Sequence, residues 1–530
     1  MGICSYLFGM FNNIMEIDAM QYASMSRELL RNENFLHFFD NGTPYLDKPP
    51  MIFWVTSIFF KIFGASNFSY RLPSFLFSII AIYSTFKLSN LYYSKRVSFS
   101  ASLILSSCLM MIVINGDVRT DIYMISPMMV SIWQLAQYFK SKNITYLIIG
   151  SVAISLSMMG KGPLGFIIPI MVLGVNLIYN KDLNKLLDKN IVLGFIIITL
   201  FLLPMSFGLY DQFGFRGIKF FYWTQSFGRI TGDSGWSNNT GPFYLLNVFF
   251  YSFFPWTILF IIAFFEKIKI VFNKKEKEYQ EIISFSGFLL PLIILSLSNY
   301  KLPHYIYCVV PFASILLASK IDRWTQSKIF NKIYLFQNIL LAFTIGCISI
   351  FINYTLPKNN LFYTFPIFVI IFFITYNHYL NSKLYRFFVP SIASSLILSY
   401  YINLGILGPI LSFQSQSEAA HYLKENFNSN IELVFFEEDK QAKSRSFNYY
   451  LDINTVYVNA ENVKENIKSG NTFIFTNEKG YQTLFSDYPN LKLLKIFDHY
   501  RISKIDSKFI IPKTRERTLQ KKYLLQVDNI

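Results

Sequence analysis

Cysteine is scarce. Four occur in 530 residues, Cys4, Cys108, Cys308 and Cys347, each in or beside an apolar run and with no paired spacing. They offer neither a disulfide framework nor a metal knuckle and read as small packing residues. Only five histidines occur, and there is no Cys/His cluster, Walker loop or dinucleotide fingerprint. Charge is thin, at 15% of residues, and acids are the minority, 32 Asp and Glu against 48 Lys and Arg. The formal charge of +16 does not mark a nucleic-acid binder, because the basic residues are gathered in short loops between apolar runs. Nucleic acid is set aside as a partner. The first residues, MGICSYLFGMFNNIM, lack a charged start and a small-residue cleavage site, so no signal peptide is read there. They are short for a span of about 20 residues and suggest a truncated or misannotated first transmembrane helix.

Apolar residues are abundant, at 53%, with 57 Phe and 35 Tyr. Apolar runs of the spanning length, about 17–25 residues, are expected at 71–93, 98–115, 121–139, 144–160, 164–180, 191–210, 243–265, 281–299, 304–319, 333–353, 361–378 and 386–404. The connecting loops alternate in character. One set is basic (Lys95-Arg96, Lys140 and Lys142, Lys181 to Lys189, Lys267 to Lys277, Lys320 to Lys332, Lys383 and Arg386) and is cytoplasmic by the positive-inside bias. The other set comprises residues 15–50, GDVRTD, GKGP, the 211–242 loop, NYKLP and the C-terminal region. By parity all of these meet on the opposite, extracytoplasmic face. Hydropathy falls near residue 412. HYLKENF and GYQTLFSDYPN then read as helical, and IELVFFEE, NTVYVNA and NTFIFTN as short strands, the pattern of a small α/β domain. The tail KTRERTLQKK is charged and expected to be mobile. The chain therefore divides into a membrane domain, 1–404, whose first extracytoplasmic loop spans 15–64, and an extracytoplasmic domain, 405–530.

Residues 15–50 form the longest polar interruption before the C-terminal region. Residues 19–31 are amphipathic and able to lie on the membrane, and 51–63 form a second short apolar helix interrupted by Lys61. Asp18, ahead of the first of these, is placed either to cap it or to orient and deprotonate a hydroxyl at the lipid boundary. Lys48 either snorkels or, aimed by the stiff Pro49-Pro50 pair, meets a lipid phosphate. Arg119-Thr120-Asp121 reads as a helix cap or as a second carboxylate with its cation around the same cavity. Lys161-Gly162-Pro163 and Lys301-Leu302-Pro303-His304-Tyr305 each put a cation at a helix end before proline, as boundary anchors or cavity residues. Arg229, in the 211–242 loop, is either solvated or a bidentate phosphate clamp. Asn41-Gly42-Thr43 and Asn238-Asn239-Thr240 match the glycosylation acceptor pattern, which arises readily in an Asn-rich chain.

In this order, IDAMQYASMSRELL, GTPYLDKPPMIFWVTSIFFKIFG, RLPS, VRTD, MGKGP and YKLPHYIYCVVP resemble the bacterial lipid A aminoarabinose transferases and the protein O-mannosyltransferases, both GT-C glycosyltransferases. The resemblance runs from about residue 15 through the last span, with the α/β tail matching that branch's periplasmic domain. It implies a polytopic helical enzyme of about 12–13 transmembrane helices with juxtamembrane helices in its first loop, in the bacterial inner membrane. It also implies a polyprenyl-phosphate-linked sugar as donor and a lipid, glycan or protein as acceptor. By motif position, Asp18 and Asp121 match the catalytic acidic positions. Lys48, Arg229 and Lys161 match donor phosphate-binding residues, and Tyr45, Asp47, Arg119, Lys301, His304 and Tyr305 line the cavity. The chain departs from the pattern at Asp18-Ala19-Met20-Gln21, where relatives often read Asp-Glu-Ala-Arg, and at Asp47, where they often carry Glu. It departs again at Gln225-Ser226, where aminoarabinose transferases carry Glu-His, so the histidine of any divalent metal site is missing and no cofactor is assigned. A transporter or flippase of lipid-linked sugar is the rival reading. It calls for ionisable residues near the bilayer midplane and repeated halves, whereas these charges cluster at loop ends.

Overall fold

A computed structural model describes the chain except residues 1, 233–234, 239, 274–280, 428–430, 437–443, 454, 459–471, 489–490 and 528–530, and the side chains of residues 229–230 and 272–273. Each expected apolar run is a helix or a bent helix pair. Among the described residues seven helices are long and apolar enough to cross a membrane, or up to nine if each bent pair is one span. The protein is a multi-pass helical membrane protein. Local chemistry sets several helix starts. Ser66 accepts from the Ser69 amide while the Ser69 hydroxyl accepts from the Ser66 amide, a reciprocal box that opens the helix Asn67–Asn90. Asn143 caps Ile144–Lys161 through Thr145 N at 3.0 Å.

The chain's first residues form a 3-10 segment, Gly2–Gly9, that packs on the helix Lys383–Tyr400. They are tied in by Arg71 of the RLPS stretch, only 2% exposed. Its guanidinium donates to the carbonyls of Asn12 (2.6 Å), Asn13 (3.0 Å) and Gly116 (2.9 Å), with longer contacts to Met10 and Asn67. Replacing it would strand several buried carbonyls at once. Arg71→Leu is expected to cost about 3–5 kcal/mol, read as a lowered thermal midpoint in detergent.

The helix Asp18–Asn32 does not lie on lipid. It is covered by the helix Met51–Phe63 on one side and by Arg445–Leu451 of the C-terminal domain on another, which buries Met20, Tyr22, Met25 and Leu29. An apolar stripe serves a protein neighbour as well as a bilayer, so periodicity alone could not distinguish them. Beside it, β1 (Phe39–Asp40) and β2 (Thr43–Pro44) make a short antiparallel hairpin. Asp40 accepts from Arg445 Nη2 at 2.7 Å and Nε at 3.1 Å, and from Gln21 at 2.8 Å. Arg27 pairs with Asp452 at 2.8 Å. Asn41 accepts from Asn448 at 2.5 Å, so this acceptor-pattern asparagine is taken up in the domain contact.

The C-terminal domain holds the helix Ser415–Asn426 and a five-stranded mixed sheet of β3 (Glu432–Phe436), β4 (Val456–Val458), β5 (Thr472–Asn477), β6 (Leu491–His499) and β7 (Gln520–Val527), in the order β4-β3-β5-β7-β6. The expected mobile tail is a correction. It starts as the turns of Pro512–Thr518 and continues into β7, which lies inside the sheet between β5 and β6. Tyr523, Leu524, Leu525 and Val527 are buried there, and their packing outweighs the charge of the residues before them.

His499 bonds Ser415 Oγ through Nδ1 at 2.9 Å. Burial, helped by nearby Lys522, pushes its imidazole down to about 4 from 6.5. The unfolded chain therefore takes up a proton near pH 6.5 that the folded domain refuses until about pH 4. The stability His499 supports is intact above about pH 6.5 and falls by up to about 3 kcal/mol as pH drops through that window. Hydrogen exchange of β6 and β7, corrected for intrinsic rates, should speed up over that range in the natural chain and stay flat in His499→Phe.

Candidate active site

The cleft is assembled from three groups of side chains, each drawn from separate stretches of chain. In the first, Asp18 is the opening residue of its helix. The cap position is Ile17, which makes no side-chain cap bond, so the capping role expected for Asp18 is not what the structure holds. Its Oδ2 instead accepts from Arg119 Nη1 at 2.5 Å. The other arm of Arg119 grips Asp117, Nη2 at 2.6 Å and Nε at 2.8 Å. Burial would lower the Arg119 pKa, but Asp117 and Asp18 more than offset it and hold the group above its usual value, a fixed cation between two carboxylates.

In the second group, Asp121 is fully buried and accepts from Lys161, the last residue of Ile144–Lys161. His304 Nε2 stands 3.8 Å from the other Asp121 oxygen. Lys161 also lies 4.4 Å over the ring of Tyr305. Two glycines set this meeting. A Cβ on Gly160 would come within 2.6 Å of the Tyr123 carbonyl, so only glycine lets the two helices approach this closely, and Gly162 ends the helix at φ +78°.

In the third group, Lys48 donates to Asp47, and Gln225 Nε2 donates to the Asp47 carbonyl, linking the first loop to the loop that carries Gln225. Tyr45 presents its edge to Phe53 at 6.2 Å. Burial, then Asp47, Asp40 and Asp18, push its phenol well above the ordinary value, so it remains a neutral hydrogen-bonding group.

Asp18, Lys48, Lys161, His304 and Tyr305 line one cleft. Tyr45, Asp47, Arg119 and Asp121 stand outside the lining itself, Asp47 and Asp121 bound to Lys48 and Lys161 and Arg119 to Asp18. Lys301, 6% exposed, is not in the lining either: its ammonium donates to the Thr240 carbonyl at 3.1 Å, and its backbone pairs with the Asn238 side chain. The backbone of Arg229 belongs to the short helix Phe227–Thr231, and its side chain lies outside the described residues. The cleft also takes in Tyr22, Thr120, Gln225, Ser226 and Ser298. Tyr22 follows Asp18 by one helical turn, a spacing visible in the sequence; Ser298 gave no such signal. Among the described residues no group of three or more His, Cys, Asp or Glu could hold a metal ion. Asp121 and His304, with the Lys161 ammonium against the carboxylate, are a poor donor set for a divalent cation.

Residues 47–207 match the family described as dolichyl-phosphate-mannose-protein mannosyltransferase. An uncharacterized protein of Aquifex aeolicus is 31% identical over 322 residues, 59% of this chain and 71% of that protein. This chain belongs to the GT-C family of membrane glycosyltransferases. Another relative, the undecaprenyl phosphate-alpha-4-amino-4-deoxy-L-arabinose arabinosyl transferase 2 of Proteus mirabilis, is 25% identical over 323 residues. That match covers 58% of this chain and 55% of the transferase, so this GT-C chain spans just over half the length of that relative. The fold is that of the crystal structure of ArnT from Cupriavidus metallidurans bound to undecaprenyl phosphate. The TM-score is 0.74 at 16% identity, with 99% of this chain and 96% of that one covered. Of the two readings, transferase and transporter, membership of the GT-C family favours the first.

Proposed function

We propose that the cleft transfers a sugar from a polyprenyl-phosphate donor to a lipid, glycan or protein acceptor on the extracytoplasmic face of a bacterial inner membrane, with inversion at the anomeric carbon. The observation that carries this reading is the convergence of Lys48, Lys161 and the Asp18–Arg119 pair in one cleft, from positions as far apart as residues 18 and 161. In the proposed step the acceptor oxygen attacks C1 of the sugar while the bond from C1 to the phosphate oxygen breaks. The proton of a hydroxyl acceptor passes to Asp18, and the electron pair of the broken bond leaves on the lipid phosphate. The leaving group gains charge, so fixed cations beside it supply most of the acceleration. Lys48 is the first of these and Arg229 the second, with Lys161 assisting. Asp121, buried behind the lining, holds Lys161 in place. Asp18 keeps one oxygen on Arg119, and among the described residues no hydrogen bond is recorded to the other, which suits a base held in one orientation.

The undecaprenyl-phosphate and dolichyl-phosphate donors of the related transferases support a lipid-phosphate donor. Mass spectrometry of envelope lipids and glycans from cells with and without the gene should find one sugar missing, and the natural gene should restore it. Asp18→Asn keeps the shape of the side chain and removes the base, so turnover should fall by about 10²- to 10⁴-fold while donor binding persists. Full complementation by Asp18→Asn would remove Asp18 from the mechanism.

A further inference from the structure

A second pocket, sharing no residue with the cleft, is lined largely by apolar side chains. The helices Phe330–Thr355, Thr364–Tyr379 and Lys383–Tyr400 enclose an apolar groove of about 520 Å³, walled by Leu341, Ile345, Ile370, Phe373, Val389 and Ile397. That size is typical of small-ligand pockets, roughly 300–1,000 Å³. At the basic-loop end the groove runs into a polar mouth through shared residues Tyr334, Ile374 and Asn377, and the mouth carries His378, Lys383 and Arg386. Among the described residues no carboxylate pairs with Lys383 or Arg386; the one bond recorded for Arg386 is from Nε to the Leu380 carbonyl. Where groove and mouth meet, the side-chain oxygens of Asn338 and Asn377 are buried without a hydrogen-bond partner. The cationic rim, the two asparagines and the hydrocarbon-lined slot follow one another in the order of a phospholipid's phosphate, polar glycerol linkage and chain.

We propose that this groove binds one anionic phospholipid from the leaflet opposite the cleft. Its acyl chain would lie along the groove, its glycerol linkage beside Asn338 and Asn377, and its phosphate between Lys383 and Arg386. Charge complementarity selects the anionic lipid, since neutral headgroups gain nothing from two cations without a local counter-charge. The small residues Ala342, Gly346 and Ala393 open the slot. A Cβ on Gly346 meets nothing within 4 Å, so the groove has room there that the helices themselves do not fill.

The test is native mass spectrometry of the full chain, extracted in detergent and offered mixed micelles of phosphatidylglycerol and phosphatidylethanolamine. One phosphatidylglycerol is expected to stay bound at low salt. The double variant Lys383→Ala/Arg386→Ala should weaken its retention by on the order of tenfold. Gly346→Phe, which fills the slot from a position with free space and leaves the cations in place, should also lose the lipid, and its unchanged thermal midpoint would show that folding is intact. Equal retention of both lipids, retention unaffected by either variant, or a second copy of the chain covering the groove would overturn the proposal. None of these positions belongs to the cleft, so sugar transfer should survive in all the variants, and loss of the site is distinguishable from loss of the proposed activity.

Discussion

Lys48→Ala is expected to lower the turnover of sugar transfer by about 10²- to 10³-fold, the usual effect of removing one group aimed at charge that develops in the transition state. The physical basis is its position. Pro49-Pro50 fixes the backbone that follows it, Asp47 and Gln225 hold its neighbourhood, and its ammonium lines the cleft. If Lys48 acts on the leaving phosphate alone, kcat and kcat/KM fall together; if it also holds the donor in the ground state, KM rises as well. Lys48→Arg should recover little, because a planar fork beside Asp47 cannot take the place of a compact ammonium. A variant that raises KM and leaves kcat untouched would limit Lys48 to donor binding.

The second large effect is expected at the Asp121–Lys161 pair. Asp121 is fully buried and Lys161 nearly so. Removing either partner leaves the other as an uncompensated charge, at a cost of about 3–5 kcal/mol. Asp121→Ala and Lys161→Ala should each lower the thermal midpoint in detergent sharply. Asp121→Leu combined with Lys161→Met removes both charges and should regain most of that stability, since apolar replacement of a buried pair is often neutral. Transfer should stay lost in the stable double variant. Activity returning along with stability would make the pair purely structural.

Much of the bundle was legible in the sequence because the length of an apolar run is itself the evidence for a membrane helix. The cleft was legible only as a set of suspects. That Asp18 meets Arg119, 101 residues on, or that Lys161 reaches Asp121 depends on helix packing, which no local pattern records. Lys301 shows the limit. Its setting before Pro303 matches that of Lys161 before Pro163, yet its ammonium donates to the Thr240 carbonyl, a partner far off in sequence that no local pattern names. The tail was misread because the charges of 513–522 mask the apolar stretch that follows, and only the neighbouring strands reveal β7 as an interior strand. Asp18 was ambiguous for a different reason: a carboxylate before a helix looks the same whether it bonds the backbone below or a guanidinium across the cleft.

The clasp between Asp40 and Arg445, and between Arg27 and Asp452, joins residues more than 400 positions apart. A chain emerging from the ribosome reaches Arg445 only after every apolar helix has been made. Until then the first loop lacks the Arg445 guanidinium for its Asp40 carboxylate and the cover for one side of Asp18–Asn32. The helix bearing Asp18 is therefore among the last parts to settle, and a nascent molecule cannot begin work on its carrier before its own synthesis is nearly done.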